Sequence, residues 1–159
     1  MAGNRHKGDA MPSITERLSL DHERCDTLFA GIEAAIAAND AALALAAFTA
    51  FHHAMQHHFA MEDAILFPAF DLIDNGDLGL THHMRLEHEQ MRELIEQMQA
   101  ALNGSNLHAC AGLVAELSPL MQQHNLKEEE VLYPLLDRAL GGKTEELVQR
   151  IEALPQAPF

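Results

Sequence analysis

Four apolar stripes run along this chain at helical spacing, and every one of them is broken by a histidine. The stripes are Leu18, His22, Cys25, Phe29, Ile32, Ile36; then Phe51, Met55, His58, Glu62, Ile65; then Met84, His88, Met91, Ile95, Met98, Leu102; and last Leu117, Met121, His124, Glu128, Val131, Leu135. Steps of three and four residues put each set on one face of a helix. Such faces bury themselves against one another, so the expected fold is all-α, an up-down-up-down four-helix bundle. In the second and fourth stripes a glutamate follows the histidine by four residues. A carboxylate on a buried face is costly unless something satisfies it. His22, His58, Glu62, His88, His124 and Glu128 therefore constrain the fold and its chemistry together.

Local signals divide the 159 residues into one bundle. Residues 1–11 read as a disordered tail, and the bundle is expected over 12–155. Ser13 and Glu16 have capping-box spacing at the start of helix 1. Asn39-Asp40 breaks the pattern, with Asp40 placed to cap helix 2. Helix 2 should reach about Phe70, kinked or ended by Pro68. Asp71 to Gly79 reads as a loop. Helix 3 is expected from Thr81 to Leu102, a turn at Asn103–Asn106, and helix 4 up to Leu140, where Gly141-Gly142 stops it. Pro119 should bend helix 4. A short fifth helix follows from Thr144 to Leu154. Aromatics at 5% and the absence of Trp favour helices over sheets.

A formal net charge of −14 argues against nucleic acid and against anionic membrane surfaces. No apolar run is long enough to span a bilayer, and the polar N-terminus has no signal-peptide pattern. The expectation is a soluble cytoplasmic protein. Cys25 and Cys110 form neither a zinc motif nor a redox pair.

The chain also aligns with itself, without gaps, at an offset of 66 residues. Over the 50 pairs beginning at residue 21 there are 11 identities. They include His22/His88, His58/His124 and Glu62/Glu128, so all six candidate ligands take part. Phe67 pairs with Tyr133, and Pro68 with Pro134. In an antiparallel hairpin, residues equally distant from the turn share one height. The midpoint of His22 and His58 is residue 40, and that of His88 and His124 is residue 106, both at expected turns. Each glutamate lies about 6 Å further along the axis at ~1.5 Å per residue, within reach of a bridging side chain.

Imidazole and carboxylate donors together suit iron, manganese or zinc. Four neutral histidines and two carboxylates supply a ligand charge of about −2 against two divalent ions, leaving vacant positions that attract hydroxide, O₂ or NO. Phe29, Met55, Ile65, Met84, Met91, Met121 and Val131 are expected to surround the ligands with apolar surface. His53, Met84 and Cys25 are candidates for residues beside the metals. His52, His57, His82 and His83 fall off the seam, as does His53, and read as surface or supporting residues. His6 and His108 read as bystanders. In the run Glu128-Glu129-Glu130 the last two are expected to be solvated.

The pattern resembles the hemerythrin-like (HHE cation-binding) family. The matching pieces are Asp21-His22-Glu23-Arg24, His58 to Glu62 followed by Leu66-Phe67-Pro68, Glu87-His88, and His124 to Glu128 followed by Leu132-Tyr133-Pro134. The resemblance implies two non-haem irons, with manganese or zinc as alternatives, held by the four histidines and bridged by Glu62, Glu128 and an oxo or hydroxo group. Oxygen carriers of that family have a histidine where this chain has Met84, and usually end in HxxxxD rather than HxxxE. Both departures are closer to the four-histidine bacterial di-iron proteins of nitric oxide stress and iron–sulfur repair, although the short cysteine-bearing domain often seen in those proteins is absent. The implied function is binding or handling O₂, NO or peroxide. An iron-donor or iron-sensing module, and a di-iron oxidoreductase, stand as alternatives.

Overall fold

The computed structural model describes residues 10–74 and 79–156. The expected tail lies, up to residue 9, outside the described residues, as does the Asn75-Gly76 part of the expected loop. The described chain is helical and contains no strand, as the stripes predict.

Helix α1 (Ile14–Ala37) starts on a complete capping box: the Ser13 hydroxyl accepts the Glu16 N–H at 3.0 Å, and the Glu16 carboxylate accepts the Ser13 N–H at 3.0 Å. Asp137, far along the chain, adds to this start. Its carboxylate accepts the Ile14 N–H at 2.8 Å, the Thr15 N–H at 3.0 Å and the Thr15 hydroxyl at 2.6 Å. Asp137→Ala should therefore lower stability to urea by about 1–2 kcal/mol, the usual cost of a lost cap. An unchanged denaturation midpoint would show that the contact contributes nothing.

The two hairpins turn in the same way, 66 residues apart. Asn39 and Ser105 each adopt φ 53°, and the next residues, Asp40 and Asn106, cap the helices that follow. These are α2 (Ala41–Met61) and α5 (Leu107–Lys127). Pro119 sits inside α5, which runs on through it.

At the ends of α2 and α5 the helix widens. The Phe67 N–H bonds to the Glu62 carbonyl, and the Tyr133 N–H to the Glu128 carbonyl, each closing a five-residue π-turn. The reason lies one residue further on. Pro68 and Pro134 have no N–H, and their rings crowd the carbonyl four residues back; a wider turn relieves that crowding without ending the helix. So α3 (Phe67–Asp74) and α6 (Tyr133–Leu140) continue directly.

Two expectations change here. Asp71–Asp74 is helix rather than loop, and Asp71 accepts hydrogen bonds from the Thr81 hydroxyl and, at 3.0 Å, from Arg85. The seam also departs from expectation at the second π-turn. Leu132, Tyr133 and Leu136 turn inward, while Val131 is 45% exposed and does not border the site.

Helix α4 (Leu80–Asn103) completes the bundle, and α7 (Thr144–Glu152) closes one end of it. The core lies in two blocks. One, towards the hairpin turns, holds Phe29, Phe48, Phe51, Met91 and Leu117. The other holds Leu18, Met61, Phe67, Met84, Tyr133 and the inner face of α7. The histidines lie between the two. His57, expected at the surface, is instead buried and donates from Nε2 to the Leu154 carbonyl at 3.2 Å, tying down the end of α7. No helix among the described residues is long and apolar enough to cross a membrane.

Candidate metal centre

All six expected ligands converge in the middle of the bundle, each 3% exposed or less. Their donor atoms form two groups that share both glutamates. One is His22, His58, Glu62 and Glu128; the other is Glu62, His88, His124 and Glu128. Within each hairpin the two Nε2 atoms face each other at 3.1 Å. Each glutamate lies between the pairs through a single oxygen. Glu62 Oε2 is 3.3 Å from His58 Nε2 and 3.0 Å from His88 Nε2. Glu128 Oε1 is 3.3 Å from His22 Nε2 and 3.1 Å from His124 Nε2.

The outer nitrogens explain this orientation. His58 Nδ1 donates to Asp21 at 2.9 Å and His124 Nδ1 to Glu87 at 2.8 Å. His88 Nδ1 donates to Asp63 at 2.9 Å and His22 Nδ1 to Glu129 at 2.6 Å. With its proton placed on Nδ1, each ring presents a lone pair at Nε2. These partners obey the same repeat, since Asp21 and Glu87, like Asp63 and Glu129, are 66 residues apart.

Asp21 and Glu87 stand inside the matching motifs and Asp63 and Glu129 directly after them, but no role for them could be read there. The signal available was the acidic character kept at both pairs of positions. Glu129, expected to be solvated with Glu130, is half-buried against His22; Glu130 is exposed. Of the residues expected beside the metals, Met84 and Cys25 pack in the two apolar blocks and His53 is half-buried on α2. Burial pushes the Cys25 thiol up to about 11, and its sulfur is not among the ligand atoms that converge in the centre. Tyr133 was missed as a polar residue of the site. Its hydroxyl donates to Glu62 Oε1 at 2.5 Å and lies 3.3 Å from His22 Nε2.

Apart from the Tyr133 hydroxyl, the groups that meet here are acceptors. Glu62 Oε2 and both oxygens of Glu128 are buried with no hydrogen-bond partner. Two imidazole lone pairs 3.1 Å apart, beside carboxylates, repel unless a positive charge lies among them. Without an ion, only protons can supply it. Burial and the charge on Glu62 push Glu128 well above the usual carboxylate range. Burial works against a charged His58, but Glu62 and Asp21 outweigh it and hold His58 well above an ordinary histidine. A proton between each imidazole pair still leaves carboxylate oxygens unmatched. Divalent cations match the whole set, since two nitrogens about 2.1 Å from one ion fall naturally some 3 Å apart. The residues present therefore fit a pair of metal ions.

The sequence model described as the hemerythrin HHE cation binding domain matches residues 13–136. Searches of curated proteins and of solved structures gave no match.

Proposed function

This chain belongs to the hemerythrin HHE cation-binding domain family, and on that premise we propose that it is a two-metal, non-haem iron protein that binds or handles O₂, NO or peroxide. His22 and His58 hold one ion, His88 and His124 the other, and Glu62 and Glu128 are shared by both. The observation that carries this reading is the buried cluster of inward-facing acceptors, in which Glu62 Oε2 and both oxygens of Glu128 have no hydrogen-bond partner.

When bound, a ferrous pair supplies electrons and open positions for a small diatomic ligand. The protein's own groups do the rest. Asp21, Asp63, Glu87 and Glu129 keep the histidines in one tautomer and fix their rings. Phe59 stands with its ring 4.3 Å from His88, and Phe67 lies 5.3 Å away on the same imidazole. These rings exclude water and favour small apolar ligands. Met84, fully buried, offers a thioether in place of a further nitrogen, so the ligands are the four histidines and two glutamates alone.

Metal analysis with absorption spectra of the reduced protein, before and after O₂ or NO, tests the proposal. About two irons per chain and a new absorption band on adding gas are expected. One metal per chain or fewer, or two metals with spectra indifferent to O₂, NO and peroxide, would overturn it.

A further inference from the structure

The two halves of the centre match in the kind of ligand and orienting carboxylate at each position. His22 answers to His88, His58 to His124, Glu62 to Glu128, and all four orienting carboxylates pair off at the 66-residue offset. They differ at Phe59, which lies against His88 and pairs with Asn125, and at the residue that ends each π-turn, which is Phe67 in one half and Tyr133 in the other. Phe67 and Tyr133 are both fully buried. Phe67 stacks on His88 at 5.3 Å and 28°; Tyr133 stacks on His22 at 5.7 Å and 29°. The two rings thus hold equivalent places, and the difference between them reduces to one hydroxyl.

That hydroxyl lies near both glutamates and donates its hydrogen bond to one of them. It occupies Glu62 Oε1, leaving Oε2 as the atom that faces the imidazoles. Both oxygens of Glu128, by contrast, are without a hydrogen-bond partner. A carboxylate oxygen that accepts a hydrogen bond from a phenol is a weaker donor to a cation, so the two shared glutamates are not equal. We propose that Tyr133 is a positioning residue that makes the two metal positions inequivalent: it restricts Glu62 to one oxygen, whereas Glu128, with no hydrogen bond on either oxygen, can use two. This rests on the two-metal reading above. By the repeat symmetry the free oxygen of Glu128 lies towards the His88 and His124 position, which gains a donor and fills first. The position beside Tyr133 fills second.

Cobalt(II) titration of the metal-free full chain, followed by visible absorption without oxygen, separates the steps. The wild type should take up two ions in two steps whose affinities differ about tenfold or more, the scale of an outer hydrogen bond at a metal site. Tyr133→Phe frees Glu62 and should bring the two steps together, within about threefold of each other. Phe67→Tyr gives Glu128 a phenol of its own and should also bring them together, but by weakening the first step. A residue that merely packs would not make opposite substitutions converge. Two cobalt ions per chain with the steps equally far apart in wild type and Tyr133→Phe would overturn the role of Tyr133 while leaving the two-metal reading intact. One ion or fewer in the wild type would overturn both. Should Phe67→Tyr fail to fold, the Tyr133→Phe comparison decides alone.

Discussion

Glu62→Gln combined with Glu128→Gln is expected to abolish metal loading and to make the metal-free protein more stable than the wild type, by about 1–4 kcal/mol. Both side chains are fully buried, and in the absence of an ion they lie among imidazole lone pairs. Burial and mutual repulsion push Glu128 well above its ordinary range, which is the mark of a charge the fold resists holding. Glutamine keeps the shape, removes the charge, and brings N–H groups that the imidazole nitrogens can accept. Metal content by elemental analysis and urea unfolding in chelator measure the two effects separately. A double variant that still binds two metals, or that is less stable than the stripped wild type, would show that the glutamates are there for the fold and not for ions.

The orienting carboxylates should rank by burial. Asp21→Ala and Glu87→Ala are each expected to weaken metal binding about 10–100-fold. Asp21 is 5% exposed and Glu87 7%, so the histidine each one holds cannot turn to water instead. Burial works against the charge on Asp21, but the His58 hydrogen bond outweighs it and keeps the carboxyl below its ordinary value. Glu87 is held at about 2 by His124 and Lys127 against the same opposing effect, so it stays ionised across neutral pH. Asp63 and Glu129, with side chains 28% and 36% exposed, leave room for water to replace them, and their alanine variants should lose less. A competition titration against a coloured chelator gives the order directly. Equal losses at all four positions would mean that burial does not control how firmly the rings are held.

The caps at Ser13 and Asp40, the two hairpin turns and the six inward residues were legible because each depends on neighbours within a turn of helix. The same locality hid the rest. Val131 was placed on the seam by counting three residues from Glu128; Ile65, reached by the same count through an equal π-turn, is buried in the block that α7 closes, whereas Val131 is exposed, so the difference lies in what packs over each. Pro134 was visible, but a proline in a helix can be met by a kink, a stop or a wider turn, and only the packing of Leu132, Tyr133 and Leu136 selects among them. His57 gave no sign of burial, since what covers it is α7, almost a hundred residues later.

The chain alone thus determined that four helices meet around two matched sets of two histidines and a glutamate, because spacing on a helix decides which side chains share a face. Which carboxylate holds which imidazole was decided by the tertiary structure. Glu129 reaches His22 and Asp63 reaches His88 across helices that only the folded bundle sets side by side. So too with Tyr133: in the sequence it is one unmatched residue in a repeat, and only when the π-turn carries its hydroxyl to Glu62 does it become the group that tells one half of the centre from the other.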